Sequence, residues 1–216
     1  MIRADRREWL WPCFIRLLHW QMRRRFHGVF LKGKEHLAVL DPARPVVACA
    51  NHTNWWDGYA AAVIGDLAPN RRVYFAQEER HLRRYAFHRW VGAFGVDLDG
   101  TPLAGLRHAL ELLGQPDAWV WMFPQGRIDQ PETPIGAKGG ATFLAGKSNA
   151  QIVPVAFRYD WLEESRPGIY LNIGKPLPSA TSQVTLANAL QSLYNEVPDQ
   201  KNWAPLFPPR LSITTR

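Results

Sequence analysis

Pro45 to Asp57 reads PVVACANHTNWWD. Val46 to Ala50 is a run of small and β-branched apolar residues between a proline and a polar cluster, the pattern of a strand buried on both faces of a parallel sheet. It runs into Asn51-His52-Thr53-Asn54, rich in turn and helix N-cap formers, so the strand ends there and the imidazole of His52 emerges at its C-terminal edge. Open α/β sheets place their ligands at that edge.

His52 and Asp57 are five residues apart, which on one continuous helix would point their side chains ~140° apart. A strand-to-helix corner, with His52 in the loop and Asp57 in the first helical turn, lets the carboxylate accept a hydrogen bond from the imidazole. Asp57 would then hold the tautomer and support the imidazolium that forms when His52 takes a proton. The spacing alone is weak, since roughly 0.3 such pairs are expected by chance in this composition. His36 and Asp41 have the same spacing, but they lie in HLAVLDPARP, which reads as a solvated loop leading into the strand.

Strand-like and helix-like stretches alternate on either side of this corner. Gly28 to Lys32 reads as a first strand and Gly33 to Glu35 as a turn. Asp57 to Leu67 is an alanine-rich helix able to pack closely on the sheet, Val73 to Ala76 a strand, Glu79 to Trp90 a helix and Val91 to Val96 a glycine-punctuated return. Thr101 can cap a helix that has Pro102 at its first position and runs to Leu113. Trp119 to Phe123 is a second buried strand ending at Pro124-Gln125-Gly126-Arg127. A helix over Lys138 to Lys147, strands over Ile152 to Phe157 and Ile169 to Ile173, and a helix over Gln183 to Glu196 follow. Pro154 inside a strand points to an edge or a bulge. The expected fold is a single α/β domain, a mixed, mostly parallel sheet flanked by helices, with an N-terminal amphipathic helix. Its divisions are that helix (1–28), the main domain (29–197) and an irregular proline-rich tail (198–216).

At 216 residues and 46% apolar composition the chain can build one sizeable core. Its ten tryptophans suit a membrane interface, a ligand-facing wall or a large core. Cys13 and Cys49 form no spaced framework, which is the usage of a reducing compartment. The net charge of +7 is concentrated in Met1 to Phe30, where seven arginines face Asp5 and Glu8. There, Trp9, Trp11, Phe14, Trp20 and their apolar neighbours alternate with Arg16 and Arg23-Arg24-Arg25, as in a helix lying in a membrane interface with arginines at anionic head groups. The alternative is a helix packed on its own domain with a solvated basic end, and the two are compatible. No stretch approaches the ~20 uninterrupted apolar residues of a membrane span, and no small-residue cleavage site follows the apolar run, so a secretory signal is not expected.

Three motifs occur in order: Asn51-His52 with Asp57, Phe123-Pro124-Gln125-Gly126, and Val153-Pro154-Val155. The chain resembles the glycerolipid acyltransferase family of the lysophosphatidate acyltransferase type, marked by NHx4D, FPEGT and a later VPV-type strand. The resemblance runs from about Val29 to Pro178. It implies transfer of a fatty acyl group from a thioester of coenzyme A or acyl carrier protein to a lipid hydroxyl, with His52 as general base and Asp57 as its orienting partner. No cofactor or metal is needed, because a positioned base suffices to take the proton of an alcohol attacking a thioester. The implied partners are a membrane surface, the lipid acceptor and the thioester donor, and the implied location is peripheral, on the cytoplasmic side of a membrane.

Asn51, Gln125, Gly126, Arg127 and Lys138 are the candidate substrate contacts, Gln125 standing where the family has glutamate. Arg127 and Lys138 could bind donor phosphates or be solvated cations. In the family's glycerol-phosphate enzymes an arginine follows the hydrophobic-Asp pair of the second motif and another follows FPEGT. The matching positions here are Leu98 and Ile128, so the resemblance implies an uncharged or glycosylated acceptor whose pocket these two side chains line. A lysophosphatidate acceptor is the alternative, and a thioesterase remains open because the same base would activate water. Cys49 as a nucleophile is the weaker reading, a central-strand thiol being ordinary packing. The pI of 9.7 could suggest a nucleic-acid binder, but such a module has no reason to bring the His52 and Phe123–Gly126 corners together.

Overall fold

The computed structural model describes residues 1–68, 70–161, 165–197 and 203–207. Helix α1 (Leu10–Arg25) is followed by β1 (Val29–Lys32), a 3-10 turn over Lys34–Leu37, β2 (Val46–Ala50), α2 (Asp57–Leu67) and β3 (Arg72–Glu78). Then come α3 (Glu79–Arg84), a 3-10 helix over Ala86–Val91, β4 (Ala93–Val96), α4 (Leu103–Leu113), β5 (Ala118–Met122), α5 (Gly140–Ser148), β6 (Gln151–Asp160), β7 (Gly168–Ile173), α6 (Gln183–Asn195) and β8 (Ala204–Pro205).

The strands form one eight-stranded sheet in the order β4-β3-β5-β2-β6-β7-β1-β8. Every neighbouring pair is parallel except β6–β7 and β1–β8. Side-chain alternation with period two divides the core. Val46, Ala48 and Ala50 of β2 join Trp119, Trp121 and Phe157 on the face covered by α1 and α2, while Val47 and Cys49 join Val120 and Ile152 on the face covered by α4, α5 and α6. Both faces of β2 are thus covered, which is why its sequence is apolar without interruption.

Neighbouring strands β2 and β5 send their following helices, α2 and α5, to opposite faces of the sheet. This change of face is a switch point of the sheet, the place where α/β sheets bind ligands beyond the C-terminal ends of their strands. On the α2 side, a Cβ at Gly65 would fall 2.8 Å from Val73, so the glycine lets the helix lie close on β3.

α1 belongs to the domain. Trp11, Ile15, Leu18 and Met22, at helical spacing, are buried in the core over α2, and Trp9, Leu17, Trp20 and the basic residues face outward. The tryptophans are shared in the same way, with Trp119 and Trp121 in the core and Trp9, Trp20, Trp55 and Trp161 exposed. Residues 2–7 run along the outer side of β4, with Ile2 accepting from the Gly95 N–H, so that this sheet edge is covered.

Three local expectations are corrected, and the alternatives for Pro154 are resolved. Pro154 lies in the interior strand β6, between β2 and β7. Of the two places expected for it, an edge or a bulge, it takes the second: the antiparallel register shifts by one residue between Val155–Ile173 and the bridge at Ile152–Leu177, and the donorless nitrogen of Pro154 falls in that irregularity. The helix expected over Glu79 to Trp90 breaks at Tyr85, whose ring packs against Trp55 and His88, and continues as a 3-10 helix. Thr101 makes no cap; Pro102 occupies the N-cap position of α4 without a side-chain hydrogen bond. In the tail, Ala204–Pro205 pairs antiparallel with β1 as an edge strand, while residues 198–202 and 208–216 lie outside the described residues.

Candidate active site

The chain after β2 turns sharply at Thr53 to Trp56, held by Asn54, whose Oδ1 accepts from the Trp56 N–H at 3.0 Å and whose carbonyl accepts from the Asp57 N–H at 3.1 Å. The turn folds the first residue of α2 back under the loop. Asp57 is fully buried, and its Oδ2 accepts from His52 Nδ1 at 2.8 Å and from the N–H groups of Thr53 and Asn54 at 2.7 and 2.8 Å. Its Oδ1 accepts from the Tyr159 hydroxyl at 2.6 Å. Burial and the Asp57 charge push the Tyr159 phenol well above its ordinary pKa, so it stays a donor.

A carboxylate beside Nδ1 places the ring proton there and leaves the Nε2 lone pair for the cavity. The imidazole is fixed from the other side by the Phe123 ring, stacked at 4.3 Å. His52, held in one plane and one tautomer, is set up to accept a proton at Nε2 while Asp57 offsets the resulting charge.

The β5 corner is clasped to the β2 corner. The Gln125 Oε1 accepts from the His52 backbone N–H at 2.6 Å, and the Asp129 N–H donates to the His52 carbonyl at 2.9 Å. Gln125 Nε2 in turn donates to Asp129 Oδ2 at 2.8 Å, and Arg127 Nε donates to Asp129 Oδ1 at 2.6 Å. Gln125 is buried and both ends of its amide are occupied, so it joins the two loops instead of meeting substrate. Asn51 is likewise removed from the candidate substrate contacts: it is fully buried, with its Oδ1 accepting from the Phe157 N–H at 2.7 Å and its Nδ2 donating to the Phe157 carbonyl at 2.8 Å. The side-chain amide thereby stands in for one more ladder step between β2 and β6.

Gly126 has φ +72°, the left-handed region that favours glycine. A Cβ there would lie 2.9 Å from Lys138 Nζ, so the exposed lysine reaches across it. Leu98, Gly126, Arg127 and Ile128 line, together with His52, a cavity of ≈ 230 Å³ that continues between α2 and β3 along Tyr59, Ala62 and Phe75 to Val91 and Phe14. Its wall is largely apolar.

The other chemical candidates fall away. Cys49 is fully buried in β2 and desolvation raises its thiol pKa far above the ordinary range, so no thiolate is available. The His36 Nδ1 lies 2.8 Å from the Ile173 carbonyl in the 3-10 turn after β1, half-buried and not the solvated loop residue expected, while Asp41 caps the Ala43 N–H. Two members of the site, Tyr159 and Asp129, were not legible. Tyr159 lies 102 residues from Asp57, and its only signal is its place two residues after Phe157 on the same face of β6. Asp129 could be suspected only as a carboxylate four residues beyond a glutamine that replaces glutamate.

A His-Asp pair thus stands beyond the C-terminal ends of the strands of a doubly covered α/β sheet, beside a largely apolar cavity. The family described as Acyltransferase matches residues 28–158, more than half of the chain, and the protein belongs to that family. Its fold is similar to the crystal structure of the 1-acyl-sn-glycerophosphate (LPA) acyltransferase, PlsC, from Thermotoga maritima, with a TM-score of 0.62 at 18% identity over 90% of this chain and 81% of that one.

The Asp129 contact also accounts for the amide at position 125. In Gln125→Glu the Nε2 donor becomes a carboxylate oxygen 2.8 Å from a second carboxylate. One of the pair must then take up a proton, with a folded-state pKa above its unfolded value. The variant is expected to be destabilised relative to wild type by about 1–3 kcal/mol at neutral pH. Because the raised pKa favours folding only while the group is protonated, the deficit grows as pH rises from 5 to 8. Thermal midpoints of both proteins at the two pH values check this; an equal midpoint throughout would show that the 125–129 contact is unimportant.

Proposed function

We propose that the protein transfers a fatty acyl group from a thioester donor to a hydroxyl of an uncharged lipid acceptor, with His52 as general base and Asp57 as its orienting partner. The observation that carries this is the hydrogen bond of 2.8 Å between His52 and a buried carboxylate, with the other imidazole nitrogen left to an apolar cavity. The acceptor oxygen is deprotonated by His52 Nε2 as it attacks the thioester carbon. The proton then passes from the imidazolium to the departing thiolate, leaving the base as it began.

The apolar cavity suits acyl chain, and its rim suits an acceptor without phosphate. Leu98 and Ile128 stand on the wall, where the resemblance would have arginines, and the Nε of Arg127 is turned to Asp129. Lys138, reaching over Gly126, is a cation placed for the donor's phosphates. A competition between lysophosphatidate and a neutral glycolipid, using purified protein and one acyl donor, tests the acceptor class. The neutral lipid is expected to be acylated faster; a preference for lysophosphatidate that disappears in Arg127→Ala would show that Arg127 holds an acceptor phosphate.

Lipid substrates imply a membrane surface, and no helix among the described residues is long and apolar enough to cross one. The outward face of α1 supports peripheral binding, since Arg16, Trp20, Arg23 and Arg24 line one groove and the Arg24 guanidinium lies 4.8 Å from the Trp20 ring centroid. The inner face of α1 is core, so the informative change is substitution of the exposed arginines. Arg16, Arg23 and Arg24 changed together to Gln should weaken binding to anionic vesicles by about 10²-fold, at ~1 kcal/mol for each charge. Unchanged co-sedimentation would remove α1 from the membrane-binding surface.

A further inference from the structure

Three uncharged polar side chains stand together in the largely apolar wall of the cavity that leads away from His52. Tyr59 of α2, Gln77 of β3 and His88 of the 3-10 helix after α3 all line it. His88 Nδ1 lies 3.1 Å from Gln77 Oε1, which can only accept, so the ring proton is assigned to Nδ1 and Nε2 becomes an acceptor. The protein neighbour of that acceptor is the Tyr59 hydroxyl at 3.4 Å, beyond the usual range of a good hydrogen bond. The His88 side chain is buried among Tyr59, Tyr85 and Phe87, and burial lowers its pKa to about 4, so it carries no charge at neutral pH. Of the charged groups that also line the cavity, Glu78 is engaged with Arg80 and His81 and Arg127 with Asp129.

A purely hydrocarbon chain lying here would strip water from the His88 Nε2 and the Gln77 amide without replacing its hydrogen bonds, which is unfavourable. A hydroxyl is both donor and acceptor and satisfies both. We propose that Tyr59, Gln77 and His88 form a subsite for an uncharged, hydroxyl-bearing segment of the lipid substrate, with its O–H donating to His88 Nε2 and its oxygen accepting from the Gln77 amide. The inference rests on the acyl-transfer reading of the same cavity. β3 and β5 pair at Phe75–Trp121, and Gln77 and Phe123 lie two residues further on each chain. Phe123 stacks on His52, so the subsite is within about two strand spacings, ~10 Å, of the reacting centre. The hydroxyl is therefore either on the acyl chain not far from its carbonyl or on the head group of the acceptor.

Equilibrium binding followed by intrinsic tryptophan fluorescence tests this with two ligand pairs. One pair is the methyl ester of a fatty acid with and without a hydroxyl on its chain; the other is a monoalkylglycerol and the matching ether lacking both hydroxyls. The hydroxylated member of one pair is expected to bind about 10-fold tighter, equivalent to ~1.4 kcal/mol. Gln77→Met and His88→Phe, which remove the proposed donor and acceptor, should each bring that ratio close to one, and the pair that responds identifies the chain or the head group as the source. If Gln77→Met fails to fold, His88→Phe decides. No preference in either pair, or a preference that the folded variants keep, overturns the subsite. The same titrations in His52→Ala protein give the ratio without turnover, so a failure of the acyl-transfer reading is seen separately, as transfer that survives this substitution.

Discussion

His52→Ala is expected to lower the turnover of acyl transfer by about 10²–10⁴-fold, the contribution of a positioned general base, with little change in the fold. The side chain stands at the rim of the cavity, and its removal costs the ring stack on Phe123, about 0.5–1.5 kcal/mol. Asp57 remains satisfied without it, because the Thr53 and Asn54 N–H groups and the Tyr159 hydroxyl still donate to its carboxylate. Loss of rate without loss of structure is the signature sought. Turnover within a few-fold of wild type, measured with the preferred acceptor and a thermal midpoint close to native, would mean that His52 is not the base. His36→Ala is the control, since that imidazole binds a backbone carbonyl and is absent from the cavity.

Asp57→Asn should also cost about 10²–10⁴ in turnover, for a different reason. Asparagine can keep the turn: its oxygen can replace Oδ2 as acceptor for His52 Nδ1 and the two N–H groups, and its amide can donate to the Tyr159 oxygen, which accepts as well as donates. The negative charge is lost, so the imidazolium formed during transfer is no longer offset and the tautomer is less firmly held. Stability falls too, because several hydrogen bonds to a buried charge become neutral, each charged bond being worth about 1.5–3 kcal/mol. Turnover per folded molecule is therefore the quantity to compare. A variant that keeps its rate once corrected for folded fraction would reduce Asp57 to a structural residue of the corner.

The sequence by itself determined the elements made of local pattern. The uninterrupted run Val46 to Ala50 defines a strand covered on both faces, and the polar cluster after it defines a corner that brings His52 to Asp57. Both follow from residue types within a dozen positions. Other features depended on packing between distant segments, for which the chain carries no local signal. Pro154 signalled an edge or a bulge, but only the strand order shows that it is a bulge in an interior strand, and the break at Tyr85 follows from contacts with Trp55 and His88. In the site, sequence offered Asn51 and Gln125 as substrate contacts because polar side chains in motifs tend to face ligands. The tertiary structure buries both amides against backbone and Asp129, where unsatisfied hydrogen-bonding groups would be costly, and brings Tyr159 to Asp57 across 102 residues. Which polar groups remain free to meet a substrate is a property of the closed network, and only the folded sheet closes it.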